Sequence, residues 1–227
     1  MIKSPKVVNG YSLVELLVAT VLFTIIAGTA FSLLFSAQVR YRGESDVTTA
    51  FQQANVAIDQ ITRDVHSAGY PPANSFAVGV APQLVALPFS WSTGTGYPNV
   101  PCTVNVSCGA VPGDNDLILE TDPDGNGVQW IRYSLQGTTL MRGMIPKAPP
   151  FDPIVATSAA LVPYLENVMN QSSSLAVFSY RPPLSTPSNI REVNIVLIVQ
   201  SAQPDPQTQQ FRTITLTGQA VRFNPND

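Results

Sequence analysis

The sequence predicts an α+β fold, with one long N-terminal α-helix packed on a C-terminal antiparallel β-sheet. Three observations carry the prediction. No residue between Leu16 and Gln38 is charged. From Val47 to Val65 the apolar residues recur at alternating steps of 4 and 3, the stripe of an amphipathic helix. From Asp116 onward, short segments rich in apolar and β-branched residues are separated by Gly- and Asp-rich turns, as in a sheet of neighbouring hairpins.

The 227-residue chain carries 12 basic and 15 acidic side chains, a formal charge of −3, and only 12% of its residues are charged. That is about half of what an average soluble domain carries. A net-acidic chain is poorly suited to wrapping nucleic acid by counterion release, so no nucleic-acid partner is indicated. One histidine and two cysteines are too few for a structural zinc site of four nitrogen or sulfur ligands. A 44% hydrophobic content argues against disorder throughout.

The first element runs from about Leu13. Roughly 22 uncharged residues at 1.5 Å rise span about 33 Å, close to the hydrocarbon thickness of a bilayer. Lys3 and Lys6 precede the run and favour a cytoplasmic N-terminus with the rest of the chain outside, while Arg40 and Arg42 beyond it pull against that orientation. The run is longer than the apolar part of a secretory signal peptide. A plain signal anchor fits the length and flanks but leaves Glu15 unexplained. A carboxylate at the edge of an apolar helix costs a few kcal/mol and usually has a partner.

The residues around it, Gly10-Tyr11-Ser12-Leu13-Val14-Glu15-Leu16, resemble the processing motif of type IV prepilins and type II secretion pseudopilins. The resemblance implies that a membrane peptidase cuts after Gly10 on the cytoplasmic face and methylates the new N-terminus at Tyr11. Glu15 is then the assembly carboxylate. Tyrosine replaces the family's usual phenylalanine at the first mature position, and the proline often found partway along the helix of major pilins is absent. Gly28 is the one soft point in the apolar run. The physical reading agrees: the amine freed at Tyr11 and a Glu15 carboxylate each cost less when paired in an apolar surrounding.

The helix continues through the stripe Val47, Phe51, Ala54, Ile58, Ile61 and Val65, with Asp46, Gln52, Gln53, Gln60 and Arg63 pointing elsewhere. Gly69 and Pro71-Pro72 stop it, giving one helix from about Leu13 to Ala68. Its end, Arg63-Asp64-Val65-His66-Ser67-Ala68-Gly69-Tyr70, is similar to the first-helix ending of PilW-type minor pilins. The similarity covers roughly residues 7–70. His66 reads as a structural residue at the helix terminus.

Residues 71–113 are irregular and rich in Pro, Gly, Ser and Thr. Cys102 and Cys108 fall within them, and outside the cytoplasm they are expected to be oxidised to each other, with two free thiols as the alternative. Strands are then predicted at Asp116–Glu120, Gln129–Leu135, Thr138–Arg142, Leu175–Tyr180, Val193–Gln200 and Phe211–Phe223. Asp122-x-Asp124-x-Asn126-Gly127 matches the first half of an EF-hand calcium loop, but Tyr133 stands where the closing glutamate belongs. Two readings stay open there, a calcium site and a tight Asp-Gly/Asn-Gly hairpin connection.

No catalytic constellation emerges. His66 and Asp64 are two apart on a helix and do not face each other. There is no G-x-S-x-G elbow, Gly94-x-Gly96 lacks a third glycine, and no Walker motif occurs. The carboxylates Asp114, Asp116, Glu120, Asp122 and Asp124 sit in turn-rich sequence with simpler roles.

The expected organisation is a leader at 1–10, a transmembrane and assembly helix at 11–38, its amphipathic continuation at 39–68, and an extracytoplasmic β-rich domain at 69–227. The resemblance implies a pilin-like fold and a non-enzymatic minor pilin, held in the inner membrane and then displayed on a pilus at the cell surface. Its implied partners are major and minor pilins, the prepilin peptidase, the inner-membrane assembly platform and, before assembly, membrane lipid. The alternatives are a type II secretion pseudopilin and, from another class, a signal-anchored binding domain that never polymerises.

Overall fold

The computed structural model describes residues 12–76, 79–81, 84–90, 115–149, 151–183, 186–206 and 208–223. Helix α1 is one unbroken element, Leu13–Ser67, passing through Gly28 without interruption. Its 55 residues extend about 82 Å at the usual rise. Two antiparallel sheets follow. The first has four strands in sequential order: β1 (Asp116–Thr121), β2 (Gln129–Gln136), β3 (Thr139–Pro146) and β4 (Val162–Leu165). The second has three, β5 (Phe178–Arg181), β6 (Glu192–Gln200) and β7 (Thr213–Val221). The α+β architecture is as predicted, but the strands divide into two sheets.

The six predicted strands all form, with ends shifted by a few residues. A short helix α2, Pro153–Ser158, and strand β4 were not anticipated. The signal for α2 was present. Asp152 caps it, accepting from the N–H groups of Ile154 at 3.0 Å and Val155 at 3.1 Å, and Pro153 occupies the first turn where its missing N–H costs nothing. β4 is short and carries Pro163, which cannot donate to a ladder and suits an edge strand.

The core is one continuous cluster in which the second half of α1 meets both sheets. Its helical contribution is Ala50, Ala54, Ala57, Ile58, Ile61 and Val65, with the buried carboxylate of Asp64 on the same face. This corrects the predicted stripe at its start: Phe51 is exposed, Val47 is only half-buried, and Ala50 and Ala57 take the inner line. Phe51 lies roughly 100° round the helix from Ala50, which carries its ring to the edge of the docked face. Small residues along that line let β7 come close. A Cβ on Gly218 would stand 2.4 Å from the Ile58 Cγ2, so any side chain there forces Ile58 to shift. Along β7 the inner Ile214, Leu216 and Ala220 alternate with the exposed Thr213, Thr215, Thr217 and Gln219, the pattern of a sheet with one wet face.

The sheets adjoin at β1 and β5. The Val177 N–H donates to the Asn115 Oδ1 at 3.3 Å, and the Tyr180 hydroxyl donates to the Asp116 carbonyl at 3.3 Å. Opposite, the Val168–Val199 bridge ties the chain after β4 to β6.

Candidate functional site

The two halves of α1 differ in what surrounds them. From Leu13 to Phe35 the large apolar side chains face outward; Phe23 is 71% exposed and Leu33 is 73% exposed. Among the described residues α1 is the one helix long and apolar enough to cross a membrane, and none of its most apolar stretch is buried within the chain. Four of the five hydroxyls in this half donate to their own helix: Thr20 to the Leu17 carbonyl at 2.9 Å, Thr24 to Val21 at 2.8 Å, Thr29 to Ile26 at 2.8 Å and Ser36 to Ser32 at 2.9 Å.

Glu15 lies in the first turn of α1, where a carboxylate complements the positive end of the helix dipole. Its Oε2 accepts the Ser12 N–H at 3.0 Å, and both residues are exposed. This places an acid at the very start of an exposed apolar helix, beside the N–H groups that a helix leaves unpaired. Gly10, Tyr11, Cys102 and Cys108 lie outside the described residues.

Residues 122–128 connect β1 to β2. Gly125 and Gly127 have φ of 75° and 116°, the left-handed geometry that such a connection requires. The Asp122 N–H donates to the Tyr70 carbonyl at 2.9 Å, and the Asp124 Oδ1 accepts from the Asn126 N–H at 3.2 Å. Hydrogen bonds from Asn126, side chain first and then backbone, hold the fully exposed Asp124 carboxyl below its ordinary value. The Asp122 Oδ1 is buried without a hydrogen-bond partner. Among the described residues no group of three His, Cys, Asp or Glu side chains is placed to share a metal ion. Calorimetric titration with calcium decides between the two readings of this loop: heat that disappears in Asp124→Asn makes it a site, and no heat removes the calcium reading.

Three buried charged clusters were not legible in the sequence. Asp64, on the docked face of α1, accepts from the Tyr133 hydroxyl at 2.6 Å, from Arg142 at 3.0 Å and from the Gln60 amide at 2.8 Å. Burial, reinforced by the Asp64 carboxylate and opposed by Arg142, pushes the Tyr133 phenol well above its ordinary value. Glu120 is fully buried and receives Ser90 at 2.6 Å, Trp130 at 2.9 Å, the Leu87 N–H at 2.8 Å and Lys147 at 2.6 Å. Arg132 grips Asp116 through Nε at 2.9 Å and through its second terminal nitrogen at 2.6 Å, and reaches the Ile154 carbonyl of α2 at 3.2 Å. Each cluster joins one element to the next, and each charge has partners, as burial demands. His66 packs its ring 4.3 Å from that of Phe223, consistent with the structural reading.

Fold and exposed segment together, an apolar helix bearing a β-rich domain, are consistent with a membrane-anchored protein. Residues 6–31 match the family model described as the prokaryotic N-terminal methylation motif. The match takes in Gly10, Tyr11, Glu15 and the exposed helix as far as Phe31, and it supports a type IV pilin- or pseudopilin-like protein. Such a motif implies interaction with a prepilin peptidase and with other pilins. Neither the curated proteins nor the solved structures yield a match to the chain.

Proposed function

We propose that this chain is a PilW-like minor pilin of a type IV pilus, cleaved after Gly10, methylated at Tyr11, and incorporated through α1 to prime or cap the filament. Its role is structural, not catalytic. The observation that carries the reading is Glu15, an exposed carboxylate in the first turn of an apolar helix that finds no cover within its own chain. In the single chain its partner is the Ser12 N–H. In a bundle of such helices the amine of a neighbouring Tyr11 supplies a full positive charge, a stronger partner than a neutral N–H. Pairing there fixes the axial register between subunits.

Glu15→Ala tests it. The variant is processed normally but is missing from sheared filaments, and pilus number falls; unchanged piliation with the variant present in filaments sinks the proposal. N-terminal sequencing of the membrane-extracted protein is expected to begin at a methylated Tyr11, and Gly10→Ala to leave a slower-migrating precursor. An intact Met1 would instead mark a signal-anchored domain. Lost secretion with normal piliation on deletion would place the chain in a type II secretion system.

A further inference from the structure

The connection between β6 and β7 returns to α1 where its apolar half ends. Pro206 packs on Gly43, at whose Cβ position its Cδ would lie 3.4 Å away. A cleft of about 260 Å³ at this junction is lined by Val39, Arg40, Glu44, Asp205 and Arg212 among others. The connection is braced from within. Asp205 holds Arg212 through its carboxylate, accepts the Thr208 N–H at 3.2 Å, and exchanges backbone bonds of 2.8 Å with Gln209 and Gln210. The bracing fixes Phe211, which is half-exposed, at the same end of the domain as Tyr41, which is 74% exposed.

Gly43 lies five residues past Gln38, the last of the uncharged run, a rise of about 7–8 Å along the helix. The polar layer on each side of a bilayer's hydrocarbon is about 5–7 Å deep. If α1 spans the membrane, Arg40, Tyr41 and Arg42 therefore fall within the headgroup layer, and the described residues of the β6–β7 connection, packed at Gly43, face its outer edge. The chemistry is ordered along the helix to suit. Two exposed guanidiniums, Arg40 and Arg42, come first, where phosphate oxygens lie, and the carboxylates of Glu44 and Asp46 follow further out. Tyrosine and tryptophan rings are enriched at this depth of membrane proteins, which suits the exposed Tyr41.

We propose that Arg40, Tyr41, Arg42 and the Phe211-bearing connection form a second membrane contact, a phospholipid-headgroup seat that fixes the height and tilt of the globular domain above the bilayer. The contact rests on the membrane-spanning reading of α1. It gives the chain two lipid footholds, one along the helix and one on the sheet domain, and the second is released when the subunit leaves the bilayer.

The full chain, reconstituted into phosphatidylethanolamine–phosphatidylglycerol vesicles carrying a quencher near the headgroups, tests this. Phe211→Trp and Phe223→Trp place an exposed reporter at opposite ends of the domain, over the same background from the native tryptophans. Phe211→Trp is expected to be quenched at least threefold more strongly than Phe223→Trp, and Arg40→Gln with Arg42→Gln to reduce that excess. Equal quenching in protein that floats with the vesicles overturns the seat and leaves the spanning helix standing. Quench-free Phe211→Trp emission that shifts with protein density overturns it too, by showing that copies of the chain cover this face. Protein that fails to float overturns the spanning reading and the seat together.

Discussion

The two halves of α1 share one backbone and use apolar residues in opposite ways. The first half carries the large side chains, Leu16, Leu17, Phe23, Ile26 and Phe35, and buries none of them within the chain. The second half docks through alanines, two isoleucines and Val65, and takes a carboxylate, Asp64, into the interface. Hydrophobicity alone therefore does not mark the packed half. Small side chains allow close approach to β7, and specificity comes from polar groups that lock to Tyr133 and Arg142. The free half keeps its apolar surface for an environment the chain does not itself supply.

The largest expected contrast comes from cutting each half back. Ile61→Ala is expected to cost about 2–5 kcal/mol of unfolding free energy, because it opens a fully buried site. Phe23→Ala should leave the denaturation midpoint of the sheets unchanged in detergent. Equal losses would erase the distinction between the halves. Next comes the close approach itself. Gly218→Ala forces a Cβ against Ile58 and is expected to cost about 1–3 kcal/mol. Ile58→Ala in the same chain should recover part of that loss, so that a double-mutant cycle shows coupling.

Comparable or smaller effects fall on the polar lock. Tyr133→Phe removes two hydrogen bonds, the one its hydroxyl donates to Asp64 and the one it accepts from Arg142 Nε, a loss of about 1–3 kcal/mol at neutral pH. The same tyrosine gives the fold a pH dependence. Its phenol is held above the ordinary value near 10, so its contribution is intact below about pH 10 and is lost as the pH rises and the unfolded chain ionises first. Denaturant midpoints should fall above about pH 10 in the parent and fall less in Tyr133→Phe; matching curves would show that this phenol does not govern the alkaline limb. Asp152→Ala, which uncaps α2 at the rim of the domain, should cost about 1 kcal/mol or less, seen in the same titrations at neutral pH.

The long helix was legible because its signals are local and repeated: an uncharged run, a stripe, and a Gly-Pro stop. The hairpins β1–β2–β3 were legible for the same reason, since their turns lie between neighbouring segments. What escaped depends on distant partners. Asp64 meets Tyr133 across 69 residues of chain and Arg142 across 78, and no spacing in the sequence announces those meetings. The division into two sheets follows from β4 pairing with β3 while β5 pairs with β6, a choice made by tertiary packing. Phe51 was placed on the docked face by its hydrophobicity, although the helix there turns an alanine inward. At the candidate site, Glu15 stood out because a charge in an apolar run is conspicuous by itself. The Pro206–Gly43 contact was not, because its chemistry is assembled from segments far apart in sequence.

The hydroxyls of the apolar half bear on how such a helix travels. Thr20, Thr24, Thr29 and Ser36 each give their proton to a carbonyl of the preceding turn. They therefore ask nothing of whatever surrounds them, and the helix presents the same satisfied surface to acyl chains as to other helices. Among the described residues up to Gln38, the one charge is Glu15. For a subunit that passes from a membrane into a filament, as proposed above, Glu15 is the charge that must exchange one neighbour for another.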